Sequence, residues 1–417
     1  MPHQDENDCD KQQHLIPIEK ALDLLLSNAL TVTETETVDL INAGGRILAN
    51  NVGSTLQVPP LDNSAMDGYA VRSSDFSGAE KISLPITQRI CAGEVGTELA
   101  PHSVARIFTG APIPKGADAV IMQERCEVEG DNIITSGPIS TGTNIRKAGE
   151  DIDIGDIVLK KGDIFRPQDM GLAASVGIHQ PTVYRRLRVG IFFTGDELQE
   201  PDTPLQAGKI YNSNRYTLRG LLANLNCEII DLGIVGDTLK ATRNAMSEAA
   251  EKADLVMTSG GVSVGEEDHV RIALEELGQL EMWRINMKPG KPLAFGRIGN
   301  TPFLGMPGNP VSVFATFCIF ARPFILKKQG ANHTQANSFM LPAAFDWHKK
   351  GGRCEYLRAK MERDTRGQTT LSLYPHQGSG VLTSTSWANG LVIIPSNTRI
   401  NQGDLIEFIP FSELNVY

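Results

Sequence analysis

In the middle of the chain, three apolar runs each end in residues that can bind or polarise an anion. Thr194-Gly195-Asp196-Glu197 follows 191–193, Gly236-Asp237 follows 229–235, and Thr258-Ser259-Gly260-Gly261 follows 255–257. Taken singly, each is an ordinary turn in which Gly bends the backbone and Asp or Thr caps the next helix. Taken together, they put carboxylates and glycines along one edge of a sheet. Gly260 and Gly261, continued by Val262-Ser263-Val264-Gly265, let backbone N–H groups approach an anionic or phosphorylated ligand. The loop is neither a Walker A motif nor GxGxxG. Glu266-Glu267-Asp268 comes next. It reads equally well as a solvated helix start, favourable to the dipole, or as a Mg²⁺ site shared with ligand phosphates.

Further on, "NMKPGKPLAFG" carries Lys288 and Lys291 on a turn stiffened by Pro289, Gly290 and Pro292, which suits an anion clamp better than a generic surface loop. In "GMPGNPVSVF", Pro307-Gly308-Asn309-Pro310 precedes an apolar run, with Asn309 at an N-cap position and Pro310 at the first helical position. The same helix start, with Ser312 in its first turn, offers N–H groups to a tetrahedral oxyanion. Outside this region, "PPLDNSAMDGYAVR" places Asp62, Asn63, Ser64, Met66, Asp67 and Tyr69 in an order that no helix or strand period explains. Thr109, Arg146, Lys147, Glu150 and Asp151 fall at β-turn edges, and "YPHQGSGVLTS" presents His376, Gln377, Ser379 and Ser384 on what is otherwise a hairpin. No GxSxG elbow and no Cys–His nucleophile pair is present. Carboxylates, lysines and glycine loops point to metal-assisted phosphate chemistry rather than acyl transfer.

The elements that must hold these residues change in character along the chain. Residues 1–14 read as a polar, disordered tail. "LIPIEKALDLLLSNAL" has helical apolar spacing at Ile18, Leu22, Leu25 and Leu26. Residues 55–151 are short alternating pieces between Gly and Pro clusters, an all-β insertion. The segment 152–183 then returns to pack with the first helix, making a discontinuous unit with 15–54. Between 184 and 328, strands alternate with helices, which implies a parallel-rich sheet covered on both faces, with ligands at the strands' carboxyl ends. Asn214 is a candidate cap for the helix in "NRYTLRGLLANL". Residues 329–417 read as a small β barrel or sandwich. The expected fold class is therefore α/β plus β, in several domains.

A chain of 417 residues exceeds what one core usually organises. Its 40 glycines and 23 prolines favour turns and short strands. A formal net charge of −10 disfavours nucleic-acid binding, yet local basic groups can still hold a small anion. The six cysteines show no zinc-ligand spacing and read as buried or incidental thiols. The polar start shows no signal peptide, and the apolar run 313–321 stops at Arg322, too short to span a bilayer. A cytoplasmic protein, with no membrane and no nucleic acid as partner, is the expectation.

The motifs "DNSAMDGYAVR", "TGAPIP", "AGEDI", "TGDEL", "TSGGVSVGEEDH", "KPGKPLAFG", "MPGNPVS" and "HQGSG" occur in this order. The chain resembles the MoeA family of molybdopterin molybdenumtransferases, and the related domain of gephyrin, from about Leu15 to its end. The resemblance implies an elongated homodimer of four-domain subunits with a MogA-like α/β domain. It implies a Mg²⁺-dependent reaction in which adenylylated molybdopterin loses AMP and takes up molybdenum from molybdate, in a cleft between subunits. Contacts with other molybdenum-cofactor enzymes belong to the same expectation. By motif, Asp67, Thr109, Asp151, Glu197, Asp237, Asp268, Lys288, Pro307, Pro310, Arg358 and Ser379 match functional family positions. Asp237 and Asp268, with Glu197, would hold Mg²⁺. Lys288, Lys291, Arg284, Ser312 and the Gly308–Asn309–Pro310 helix start, with Gly260, Gly261 and Ser263, would bind molybdate or phosphates, and Asp67 and Thr109 would act from the other subunit. One departure is Arg284, where the family carries Lys; charge is kept, but the planar fork differs. Two other readings stay open, a MogA-like adenylyltransferase and a gephyrin-like scaffold without catalysis.

Overall fold

Residues 188–194, RVGIFFT, are apolar without alternation because both faces of the strand they form are covered. In the computed structural model, which describes residues 15–76, 78, 81–261, 269–349, 351–363, 365 and 367–416, this strand, Arg188–Thr194, lies inside a six-stranded sheet. It pairs in parallel with Glu228–Val235 on one side and Leu255–Ser259 on the other. Thr301–Met306 follows, also parallel, and Pro292–Ile298 and Gly278–Arg284 extend the sheet antiparallel. Alternate side chains go to opposite layers. Ile191 and Phe193 join a core with Leu218, Leu222, Phe317 and Phe324, while Phe192 packs with Met246, Ala249, Val270 and Leu274. Helices Ser213–Asn224, Leu239–Lys252 and His269–Leu277 supply those layers.

A helix of 19 residues, Pro310–Lys328, runs through the larger core, with a π-helical stretch Phe317–Ala321 in its middle. It continues past Arg322, where the apolar run 313–321 ends. Among the described residues it is the one helix long and apolar enough to cross a membrane, but 83% of its most apolar window is buried inside the fold. Arg322 is tolerated there because it donates to Asn415 Oδ1 at 3.0 Å and to the Thr334 carbonyl at 2.9 Å.

The first helix, Ile18–Ser27, buries Ile18, Ala21 and Leu25 in this same core. Its neighbour is thus the α/β unit rather than the segment 152–183, because Ile16 is pinned to the sheet's outer strand by an N–H donated to the Arg284 carbonyl at 2.8 Å. The segment that returns after the insertion instead pairs with other early residues, Thr35–Thr37 with Thr182–Tyr184 and Val52–Gly53 with Ile157–Leu159. Leu48, Val52, Phe165, Ala173 and Val183 form its core.

The insertion is all β, built around Lys81–Ile90. The far half of that strand pairs in parallel with Val104–Ile107, and the near half pairs antiparallel with Asn132–Ser136. Gly68–Val71 completes the centre, sending Tyr69 and Val71 to one apolar cluster and Ala70 to another. At the other end, Phe339–Pro342, Cys354–Arg363, Thr369–Leu373, Gly390–Ile394 and Leu405–Pro410 make the C-terminal sheet. Met287–Lys288 joins its edge in parallel with Cys354–Glu355. This pairing draws the lysine turn of the α/β unit against the C-terminal unit. The multidomain α/β plus β architecture is the one expected.

Candidate active site

Register across the parallel strands brings their carboxyl ends level. Thr194 pairs with Val235, Phe193 with Ser259, and Ser259 with Met306. The loops that follow therefore open on one edge of the sheet. Here a cleft of about 570 Å³ is lined by Glu197, Gly260, Gly261, Lys288, Pro289, Gly290, Lys291, Pro292, Pro307, Gly308, Asn309, Ser312, Arg353, Gln377, Gly378 and Ser379. Six segments far apart in sequence thus meet in one hollow, and among the described residues its cations Lys288, Lys291 and Arg353 outnumber the one carboxylate on its wall, Glu197.

Each wall is held by identifiable bonds. Asn214 Nδ2 donates to Ser259 Oγ at 2.8 Å and to the Gly308 carbonyl at 2.7 Å, tying the glycine loop to the PGNP loop. Asn214 is therefore a bridge, and the N-cap of its helix is Asn212, whose side chain accepts from the Arg215 N–H at 3.2 Å. Gly261 has φ +62°, and a Cβ there would stand 2.6 Å from Val270 Cγ2. Gly290, with φ +108°, lies so close to Thr316 that a Cβ would come within 2.5 Å of its hydroxyl. These two glycines are required by space as well as by conformation.

Lys288 Nζ donates to Glu355 Oε1 at 3.1 Å. The carboxylate is almost fully buried while the lysine side chain is 45% exposed, so the ammonium is anchored from below and presents its remaining donors to the cleft. Arg353 is anchored likewise through Nη1 to the Met287 carbonyl at 3.1 Å. The HQGSG loop closes the other side. Its Ser379 carbonyl accepts the Val311 N–H at 3.0 Å, so one N–H of the helix start is already taken. Asn309 occupies the N-cap position and Pro310 the first turn, but the Asn309 side chain makes no capping bond. Glu197 folds back over Gly195, where a Cβ would lie 2.6 Å from its Oε2.

A second cluster lies in the insertion, which contributes no residue to the cleft. Asp67 Oδ1 accepts both the N–H and the hydroxyl of Thr109 at 2.8 Å. Those two donors, with Arg106 nearby, hold the Asp67 carboxyl below its ordinary range. Asp62 accepts Lys147 Nζ at 2.7 Å and the Ala148 N–H at 2.9 Å, and is lowered for the same kind of reason. Asp67 and Thr109 are exposed, and so is Asp151, in a turn whose N–H bonds the Val58 carbonyl.

Three family models cover most of the chain: MoeA N-terminal region (domain I and II) over residues 16–177, a probable molybdopterin binding domain over 190–327, and MoeA C-terminal region (domain IV) over 340–411. A molybdopterin molybdenumtransferase of Haemophilus influenzae is 39% identical, over 96% of this chain and 100% of its own. The chain belongs to the MoeA family. A second relative with the same name, from a Nostoc species, is 38% identical over 89% of this chain and 87% of its own. Among solved structures, the MoeA protein of Pyrococcus horikoshii OT3 is similar with a TM-score of 0.83 and 32% identity, over 95% of this chain and 100% of its own.

Not every candidate residue reaches this MoeA cleft. Arg358 is fully buried, donating to Ser384 Oγ at 2.9 Å and to the Gly378 carbonyl at 3.1 Å. It supports the HQGSG loop from beneath instead of facing a ligand. Burial pushes its pKa down to about 10, against the pull of Glu355, so it stays charged at neutral pH. Arg284 is exposed at the end of the outer strand, and Asp237 is exposed in the turn after Val235; neither lines the cleft. Pro310 stands one residue behind the lining Asn309. Ser263 and Asp268 lie outside the described residues. Arg353 and Glu355 carried no sequence signal of their own, and the bridging Asn214 reads from sequence only as a helix cap. Arg353 sits in "KKGGRCEYLRAK", which reads as a surface turn entering a strand.

Proposed function

We infer that the chain is a molybdopterin molybdenumtransferase of molybdenum-cofactor biosynthesis, the activity for which its full-length relatives are named. The observation that carries the chemistry is the cleft itself, where Lys288, Lys291 and Arg353 face the two-glycine loop across about 570 Å³. Rigid cations and backbone N–H groups recognise tetrahedral oxyanions and phosphates, as in molybdate and a phosphorylated pterin. The α/β unit supplies Lys288, Lys291, Ser312 and the backbone of Gly261, the Gly260 N–H being already donated to the Met306 carbonyl at 3.1 Å, and the C-terminal unit supplies Arg353 and Ser379. Fixed donors of this kind stabilise charge that builds up on a departing phosphate without having to reorganise.

The substrate on this reading is adenylylated molybdopterin, whose phosphoanhydride breaks to release AMP as molybdate delivers its metal to the dithiolene. No group of three His, Cys, Asp or Glu side chains that could hold a metal is found among the described residues. Mg²⁺ needs only one or two carboxylates when ligand phosphates and water complete its shell. Glu197, Asp237 and Asp268 are the residues that would hold it. When bound, it would neutralise phosphate charge. Asp67 and Thr109 lie in the insertion and not on the cleft wall; in the homodimer that the family resemblance implies, they would serve the cleft from the second subunit.

Purified protein incubated with adenylylated molybdopterin, Mg²⁺ and molybdate should release AMP and yield a molybdenum-bound pterin, both followed by mass spectrometry. Consumption of ATP to adenylylate molybdopterin, with no metal insertion, would replace this reading by the adenylyltransferase one.

A further inference from the structure

Arg106 is a residue that neither the charge pattern nor the motifs single out. It lies in the strand Val104–Ile107, directly opposite Tyr69 in the antiparallel pairing. Its guanidinium sits 5.1 Å from the centre of the Tyr69 ring and 4.7 Å from that of Phe108. From there Nη1 donates to the Gly68 carbonyl at 3.1 Å and Nη2 to Gln123 Oε1 at 2.6 Å. Gly68 follows Asp67, and the Gln123 N–H in turn donates to the Asp67 carbonyl at 3.1 Å. Phe108 precedes Thr109, which gives both its donors to the Asp67 carboxylate. One side chain therefore touches the backbone or ring next to each member of the Asp67–Thr109 pair, as well as the glutamine behind them.

We propose that Arg106 is a positioning residue for metal insertion, fixing Asp67 and Thr109 in the orientation in which they meet the substrate. The proposal rests on the reading that Asp67 and Thr109 serve the cleft. A planar fork stacked on two rings has lost most of its freedom before it forms its hydrogen bonds. It can hold two acceptors at a fixed separation. A lysine keeps the charge and one of those bonds but cannot span both. The acceptor it grips is itself fixed, since at Gly68 the neighbouring strand approaches so tightly that a Cβ would meet the Ile121 carbonyl at 1.9 Å.

The test compares Arg106→Ala, Arg106→Lys, Gln123→Ala and Asp67→Asn by steady-state molybdenum insertion on the full-length protein. Arg106→Ala should lower kcat about tenfold or more, since small misplacements of reacting groups are costly, while KM for molybdate stays within about twofold. Arg106→Lys should recover part of the loss, and in the Asp67→Asn background Arg106→Ala should cost little more, because the two act as one unit. Gln123→Ala should show a smaller loss of kcat, and it carries the test if Arg106→Ala does not fold. A wild-type kcat in Arg106→Ala or Gln123→Ala, with Asp67→Asn inactive, overturns the positioning role alone. A fully active Asp67→Asn instead overturns the reading beneath it.

Discussion

At Gly261 the φ of +62° and the 2.6 Å approach of Val270 Cγ2 to an added Cβ leave an alanine no comfortable place. Val270 stands in the first turn of the helix that follows, and Thr194 Oγ1, 3.1 Å away, ends the central strand. Gly261→Ala should therefore cost about 1–3 kcal/mol in urea unfolding and move the glycine loop that lines the cleft, lowering turnover at least about tenfold. Full activity in a normally folded Gly261→Ala protein would show that the loop's position is not needed. At this scale the site was readable where a residue type is unusual for its setting. Paired glycines at a strand end and two lysines between prolines point to an anion whatever the fold. Arg358 was misjudged because an arginine in a motif looks alike whether it faces a ligand or, as here, is buried and donates to Ser384 and Gly378. Glu355 was invisible because its role, holding Lys288, exists only once Met287–Lys288 pairs with Cys354–Glu355.

Between elements, Asp254 joins parts of the chain that are far apart in sequence. It accepts Arg185 Nη1 at 2.6 Å and Nη2 at 2.8 Å, and the Arg188 N–H at 2.8 Å, while Arg185 also pairs with Glu34 at 2.7 Å. Burial by itself would raise the Asp254 pKa; the Arg185 fork and the Arg188 donors outweigh it and bring the carboxyl from 3.8 down to about 2. A group that titrates lower in the folded than in the unfolded state adds stability above its unfolded pKa. That stability is lost as pH falls through the folded value. The contribution here is about 2 kcal/mol, present above about pH 4 and lost toward pH 2. Asp254→Asn should lower the urea midpoint at pH 6 and flatten its fall between pH 4 and pH 2; an unchanged acid slope would contradict this account. The strands themselves were legible, because runs such as 188–194 are apolar on both faces. The partner of the first helix was not, since the stripe Ile18, Ala21, Leu25 says that a face is buried but not against what.

Over the whole molecule, the cleft draws on the α/β and C-terminal units, while the Asp67–Thr109 pair lies in the insertion. The motifs single out these residues but do not say which are neighbours within a chain, because a motif carries no distance; that Asp67 and Thr109 act from the other subunit was an expectation from the family resemblance alone. On the proposed function, the two clusters combine across a homodimer with two equivalent sites. The most direct measurement mixes two singly disabled proteins, Asp67→Asn and Lys288→Ala, by reversible unfolding and reassembly, and follows molybdenum insertion. Half the dimers should then be mixed, each with one site built wholly from intact residues, and turnover should recover to about a quarter of wild type. Mixed dimers that form but insert no molybdenum would contradict a site shared between subunits.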